Sequence, residues 1–113
     1  MNFTFTSNKS QVLAALKAAE ERALEICGGT AEAHAKVNIT RNHSVVTGNL
    51  RNSIAHGQLD DKTEAVGSNV EYAPYVELGT RKMHAKPYLV PAIEGHAGEY
   101  QRIIQQELSE IGS

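Results

Sequence analysis

The chain has 113 residues, 41% of them hydrophobic, with 11 basic and 13 acidic side chains and a net charge of -2. That length suits one domain spanning residues 1–113, which would fold from about 17,800 Å² of exposed surface to about 6,100 Å². A single cysteine, Cys27, excludes an internal disulfide framework, and the mild acidity argues against a protein built to coat nucleic acid.

The first residues, Met1 to Thr6, carry neither the basic nor the apolar region of a secretory signal, and no apolar run is long enough to span a membrane. Phe3 and Phe5 alternate with polar neighbours, a period-two pattern that predicts a short strand. Val12, Leu13, Leu16, Ala19, Ala23, Leu24 and Cys27 then recur at helical spacing, predicting an amphipathic helix from about Lys9 to Cys27 with Leu16 in the core. Gly28-Gly29 is expected to end or kink it, since each glycine costs about 1 kcal/mol in a helix. A second helical stretch follows, from Ala31 to about Ile39.

Asn42 to Thr47 reads as a loop, and Thr47 to Ser53 as a cap with one helical turn. Ser53–Leu59 and Thr63–Val70 read as two strands joined by the turn Asp60-Asp61-Lys62, with Gly57 and Gly67 hinting at bulges. In Tyr72–Thr80, Pro74 suits the first turn of a short helix and Gly79 its C-terminal cap. Spacing of Ile93, Ala97, Tyr100, Ile104, Leu108 and Ile111 predicts one last helix from about Pro91 to Ile111. The fold class expected is α+β: a small antiparallel sheet, with the long N-terminal helix and the C-terminal helix packed on one face.

Motifs for catalysis are missing. The histidines, His34, His43, His56, His84 and His96, have no zinc-ligand spacing, and one cysteine builds no thiolate site. Cys27 sits on the apolar helix face, where an inert thiol is expected, and Asp60-Asp61 reads as a solvated turn. No phosphate-binding loop or nucleophile elbow occurs. These patterns lead to the expectation of a non-enzymatic protein with no cofactor and no metal.

Three stretches carry a resemblance. Thr47-Gly48-x-Leu50-Arg51-x-Ser53-Ile54, then Tyr72-Ala73-Pro74-Tyr75-Val76-Glu77-Leu78-Gly79-Thr80, then Lys86-Pro87-Tyr88-Leu89-x-Pro91-Ala92 follow the order and spacing of a family of small tailed-phage morphogenesis proteins. The chain departs from that pattern at Tyr88, where phenylalanine is commoner, and at Leu78, where an aromatic is common. It also lacks a proline in the loop before Thr47. The resemblance implies a tail-completion or head–tail joining protein of the virion, made in the host bacterial cytoplasm. It implies a homo-oligomeric ring touching tail-tube and connector proteins, with DNA passing through unread and no membrane involved.

Residues assigned to assembly on this basis are Thr47, Gly48, Tyr72, Tyr75, Glu77, Gly79, Thr80, Arg81, Lys82, Met83 and Lys86. Tyr72 and Tyr75 offer amphipathic contact area, and Glu77 and Arg81 can pair within the loop or across a subunit boundary. Tyr72, Val76 and Leu78 read equally as a cap on the core. Arg81–Lys86, with three cations and no acid, is expected to order on docking. The alternative is a small nucleic-acid-associated regulator using the basic segments Lys36–Arg51 and Arg81–Lys86. A metal-dependent enzyme has only scattered histidines in its favour.

Overall fold

A computed structural model describes residues 9–42, 47–81 and 84–110. The strand expected at Phe3–Phe5, most of the loop before Thr47, and Lys82, Met83 and Ile111 lie outside the described residues. The elements are α1 (Lys9–Asn42), α2 (Thr47–Ser53), β1 (Ala55–Asp60), β2 (Thr63–Gly67), α3 (Ala73–Leu78), α4 (Leu89–Glu94) and α5 (Ala97–Ser109). The class is α+β, with a two-stranded antiparallel sheet, a long N-terminal helix and C-terminal helices.

Gly28-Gly29 does not end the first helix: α1 runs unbroken for 34 residues. The reason is tertiary. A Cβ at Gly28 would lie 2.7 Å from both Glu64 Cγ and His56 Nδ1, so the glycine lets the hairpin close directly onto the helix. Thr30 spans the glycine pair by donating its hydroxyl to the Ile26 carbonyl at 2.8 Å. The buried stripe steps every fourth residue through Ala19, Ala23, Ala31, Ala35 and Ile39. Its small side chains admit close neighbours: both strands, α2, α4 and α5 pack on α1.

Those neighbours leave the start of α1 uncovered. No residue from Ser10 to Ala18 is buried, and Leu16 is 37% exposed, so the expectation of a core Leu16 is corrected. Leu16→Asp is accordingly expected to cost less than about 1 kcal/mol in the thermal melting of dilute protein, the range of a surface substitution.

The hairpin pairs Ala55 with Gly67, His56 with Val66 and Gly57 with Ala65, and its register slips between Gln58 and Asp60. The irregularity therefore falls at Leu59 rather than at Gly57 or Gly67. Asp60 Oδ1 accepts the Lys62 N–H at 2.8 Å, which builds the expected turn. Both strands are shorter than expected. Ser53 ends α2 instead of opening β1, and Ser68 leaves β2 to pair with Ser53, hydroxyl to hydroxyl, at 2.5 Å.

α3 follows its punctuation. Pro74 sits in its first turn, and Gly79 caps it with φ 80°, ψ 173°, a conformation open essentially to glycine. The last helix is not continuous: α4 stops at Glu94 and α5 begins at Ala97. At the joint, Gly95 donates its N–H to the Pro91 carbonyl, and a Cβ there would lie 2.5 Å from that oxygen. His96 leaves the helical region at φ -125°, ψ 25°. The core gathers Ala35, Ile39, Leu50, Ile54, Ala73, Val76, Tyr88 and Ala92, with Val66, Val70, Tyr72 and Leu89 packed against it.

Candidate functional site

The three sequence motifs meet in that core. Leu50 and Ile54 come from the first, Ala73 and Val76 from the second, Tyr88 and Ala92 from the third. Tyr88 is the largest fully buried side chain, and its hydroxyl points at the Ala73 carbonyl at 3.4 Å. Much of each motif therefore works as packing.

The residues assigned to assembly divide accordingly. Tyr72 lies half-buried against the core, and Gly79 makes the turn after α3. Glu77 reaches the start of α4: Oε1 accepts the N–H groups of Tyr88 and Leu89 at 2.9 and 2.8 Å, and Oε2 accepts that of Val90 at 3.2 Å. A carboxylate there satisfies amides that a helix leaves unpaired, and its charge faces the positive end of the helix. Glu77→Ala is expected to cost about 1–3 kcal/mol by urea unfolding, with Glu77→Gln recovering part of it. An unchanged midpoint for the alanine variant would free Glu77 from this structural role.

Tyr75 and Leu78, by contrast, are 57% and 76% exposed on α3. Gly48, Thr80 and Arg81 are exposed, and Lys86 is half-buried with its backbone N–H on the Val76 carbonyl at 2.8 Å. Thr47 begins α2. Lys36 pairs with Glu32 at 3.1 Å on the same helix face, which removes one cation from the basic segment of the regulator reading.

Cys27 is half-buried, with Sγ 3.8 Å from the Tyr100 carbonyl. Burial, then Glu64 and Glu99, push its thiol above the ordinary range, so it stays protonated and weakly nucleophilic. An apolar cleft of about 300 Å³ opens beside it, between α1, β2 and α5.

Among the described residues, the structure assembles two histidine–carboxylate groups whose members come from distant parts of the chain. In the first, His56 on β1 places Nδ1 3.0 Å from Glu64 and Nε2 3.8 Å from Glu25. The hydrogen bond to Glu64 raises the His56 pKa above 6.5, outweighing the opposing effect of burial. The folded chain thus holds this proton to higher pH than the unfolded chain. The stabilisation is complete below about pH 6.5 and is lost as pH rises through the folded pKa. Melting temperature followed from pH 5.5 to 8.5 is expected to decline more steeply in the parent than in His56→Asn. Parallel profiles would contradict the assignment.

In the second, His34 on α1 donates Nε2–H to Glu99 Oε1 at 2.6 Å, and His96 Nδ1 lies 4.0 Å from the same oxygen. The His34 and His96 rings stack with centroids 3.5 Å apart and planes within 5°. His34, then burial acting the other way, leave the Glu99 carboxyl below its usual range.

Among the described residues, no helix is long and apolar enough to cross a membrane. No curated protein and no solved structure matches the chain. A family model described as "Bacteriophage HK97-gp10, putative tail-component" matches residues 4–79, a span that takes in α1, the hairpin and α3. With the first motif and all of the second but Thr80 inside that span, and both contributing side chains to the core, the chain belongs to the HK97-gp10-like family of bacteriophage tail components.

Proposed function

We propose that the chain is a non-enzymatic morphogenesis protein of a long-tailed phage or prophage, forming a homo-oligomeric ring in the virion as a tail-completion or head–tail joining component. Its neighbours in the ring stack are tail-tube and connector proteins, and DNA passes through without sequence readout. The carrying observation is a fold that leaves two separate apolar surfaces open. The radius of gyration is 18.6 Å, against about 13 Å for a compact chain of this size. The first turns of α1 hold Val12, Leu13 and Leu16 exposed, and α3 and α4 expose Tyr75, Leu78 and Val90. A closed ring is built from two different patches on each subunit, and the described residues of this chain offer at least two. Membership of a tail-component family supports the same reading.

The cationic residues Arg81, Lys82 and Lys86 lie between Leu78 and Val90 in the sequence and supply charge complementary to the acids of Asp60–Glu64 or of α5 on a neighbour. Light scattering of the purified chain, alone and with tail-tube protein, tests the proposal. Leu13→Asp with Leu16→Asp, and Tyr75→Ala with Arg81→Glu, are expected to melt like the parent but to lose assembly and infectious particles. Reversing Arg81, Lys82 and Lys86 to Glu tests the charged segment in the same way. Normal assembly and normal particle yield from all three variants would overturn the ring.

A further inference from the structure

We propose that His34, His96 and Glu99 form a binding site for a divalent transition-metal ion of the zinc class, clamping α1 to the joint between α4 and α5. One ligand atom from each of the three lies within 4.8 Å of the others. His34 comes from the middle of α1, while His96 and Glu99 stand three residues apart across the start of α5. All three side chains are partly exposed, so an ion reaches them directly from solvent and water completes the coordination. Two imidazoles and one carboxylate are a borderline-soft set that suits zinc, cobalt or nickel and disfavours magnesium and calcium, which take oxygen donors.

The helix break at Gly95-His96 gains a reason from this site. An uninterrupted helix would carry His96 in the regular turn preceding Glu99. The break holds His96 at φ -125°, with its ring against His34. The lone pairs of stacked rings run side by side, so loading tilts the rings until their nitrogens converge. It also displaces the proton that His34 shares with Glu99. The group around His56 is different: its two nitrogens face two different carboxylates, an arrangement that suits a bridging imidazolium rather than a shared ion.

The test uses the full chain, stripped with chelator and titrated with zinc chloride or cobalt chloride alone. One ion per chain is expected, with a rise of several degrees in melting temperature and a four-coordinate cobalt spectrum. Magnesium should leave the melting temperature unchanged. His34→Asn with His96→Asn, and Glu99→Gln, should lose the metal-dependent shift while His56→Asn keeps it. Imidazole NMR of the parent protein answers the question even if a variant misfolds: zinc should move the His34 and His96 resonances and leave His56 in place. No melting shift and no cobalt spectrum at tenfold excess would overturn the site. So would binding that survives the double variant, or zinc shifts confined to the other histidines.

Discussion

Tyr88→Ala is expected to cost about 3–5 kcal/mol, the range for truncating a large buried aromatic. The ring is 1% exposed and packs with Leu50, Ile54, Ala73, Val76 and Ala92, so its loss leaves a cavity walled by all three sequence motifs. The backbone around it is tied down as well. Asn38 donates to the Tyr88 carbonyl at 3.1 Å, and Glu77 accepts its N–H, so neighbouring elements have little freedom to collapse into the space. The hydroxyl matters less, because its bond to the Ala73 carbonyl is long at 3.4 Å. Tyr88→Phe should therefore stay within about 1.5 kcal/mol of the parent. Urea unfolding separates the two variants. A Tyr88→Ala loss no larger than that of Tyr88→Phe would mean that the motifs do not share a core.

The parts of this fold legible in the sequence are those with local punctuation. Asp60-Asp61-Lys62 marks the hairpin turn because a carboxylate beside the following amides is a short-range event. Pro74 and Gly79 bracket α3 for the same kind of reason. What was not legible depends on neighbours distant in the chain. The cost of Gly28-Gly29 within a helix is local, but its compensation comes from Glu64 and His56, more than twenty-five residues away. Leu16 has the spacing of a core residue, yet no residue from Ser10 to Ala18 is buried. Glu77 reads in the sequence as a partner for Arg81, within the loop or across a subunit boundary, because the amides it caps lie eleven to thirteen residues further on. His34 and Glu99 are 65 residues apart, and no spacing rule joins them. His96 lies at the break between α4 and α5, inside the stretch whose apolar spacing predicts one continuous last helix.

Adjacent glycines of α1 should respond to substitution with opposite signs. At Gly29 a Cβ meets only His56 Nε2 at 3.7 Å, an ordinary contact, so Gly29→Ala should collect the helix-propensity gain of about 1 kcal/mol. At Gly28 the same methyl would collide with the Glu64 carboxylate and lie 2.7 Å from Glu64 Cγ and His56 Nδ1. Neither neighbour yields cheaply. The Glu64 side chain is only 7% exposed and paired with His56, so moving it breaks that contact and shifts β2 away from the helix. Overpacking of this kind costs about 1–3 kcal/mol, which cancels or exceeds the propensity gain for Gly28→Ala. Gly28→Val adds two more methyl groups and a β-branched penalty in the helix, and it is expected to cost several kcal/mol. For a domain near 100 residues each kcal/mol moves the melting temperature by about 4–8 °C, so the variants separate in one thermal series. The order expected is Gly29→Ala above the parent, Gly28→Ala at or below it, and Gly28→Val far below. If Gly28→Val melted with the parent, the hairpin would not rest on α1 at this point, and the unbroken passage of the helix through both glycines would lose its physical cause.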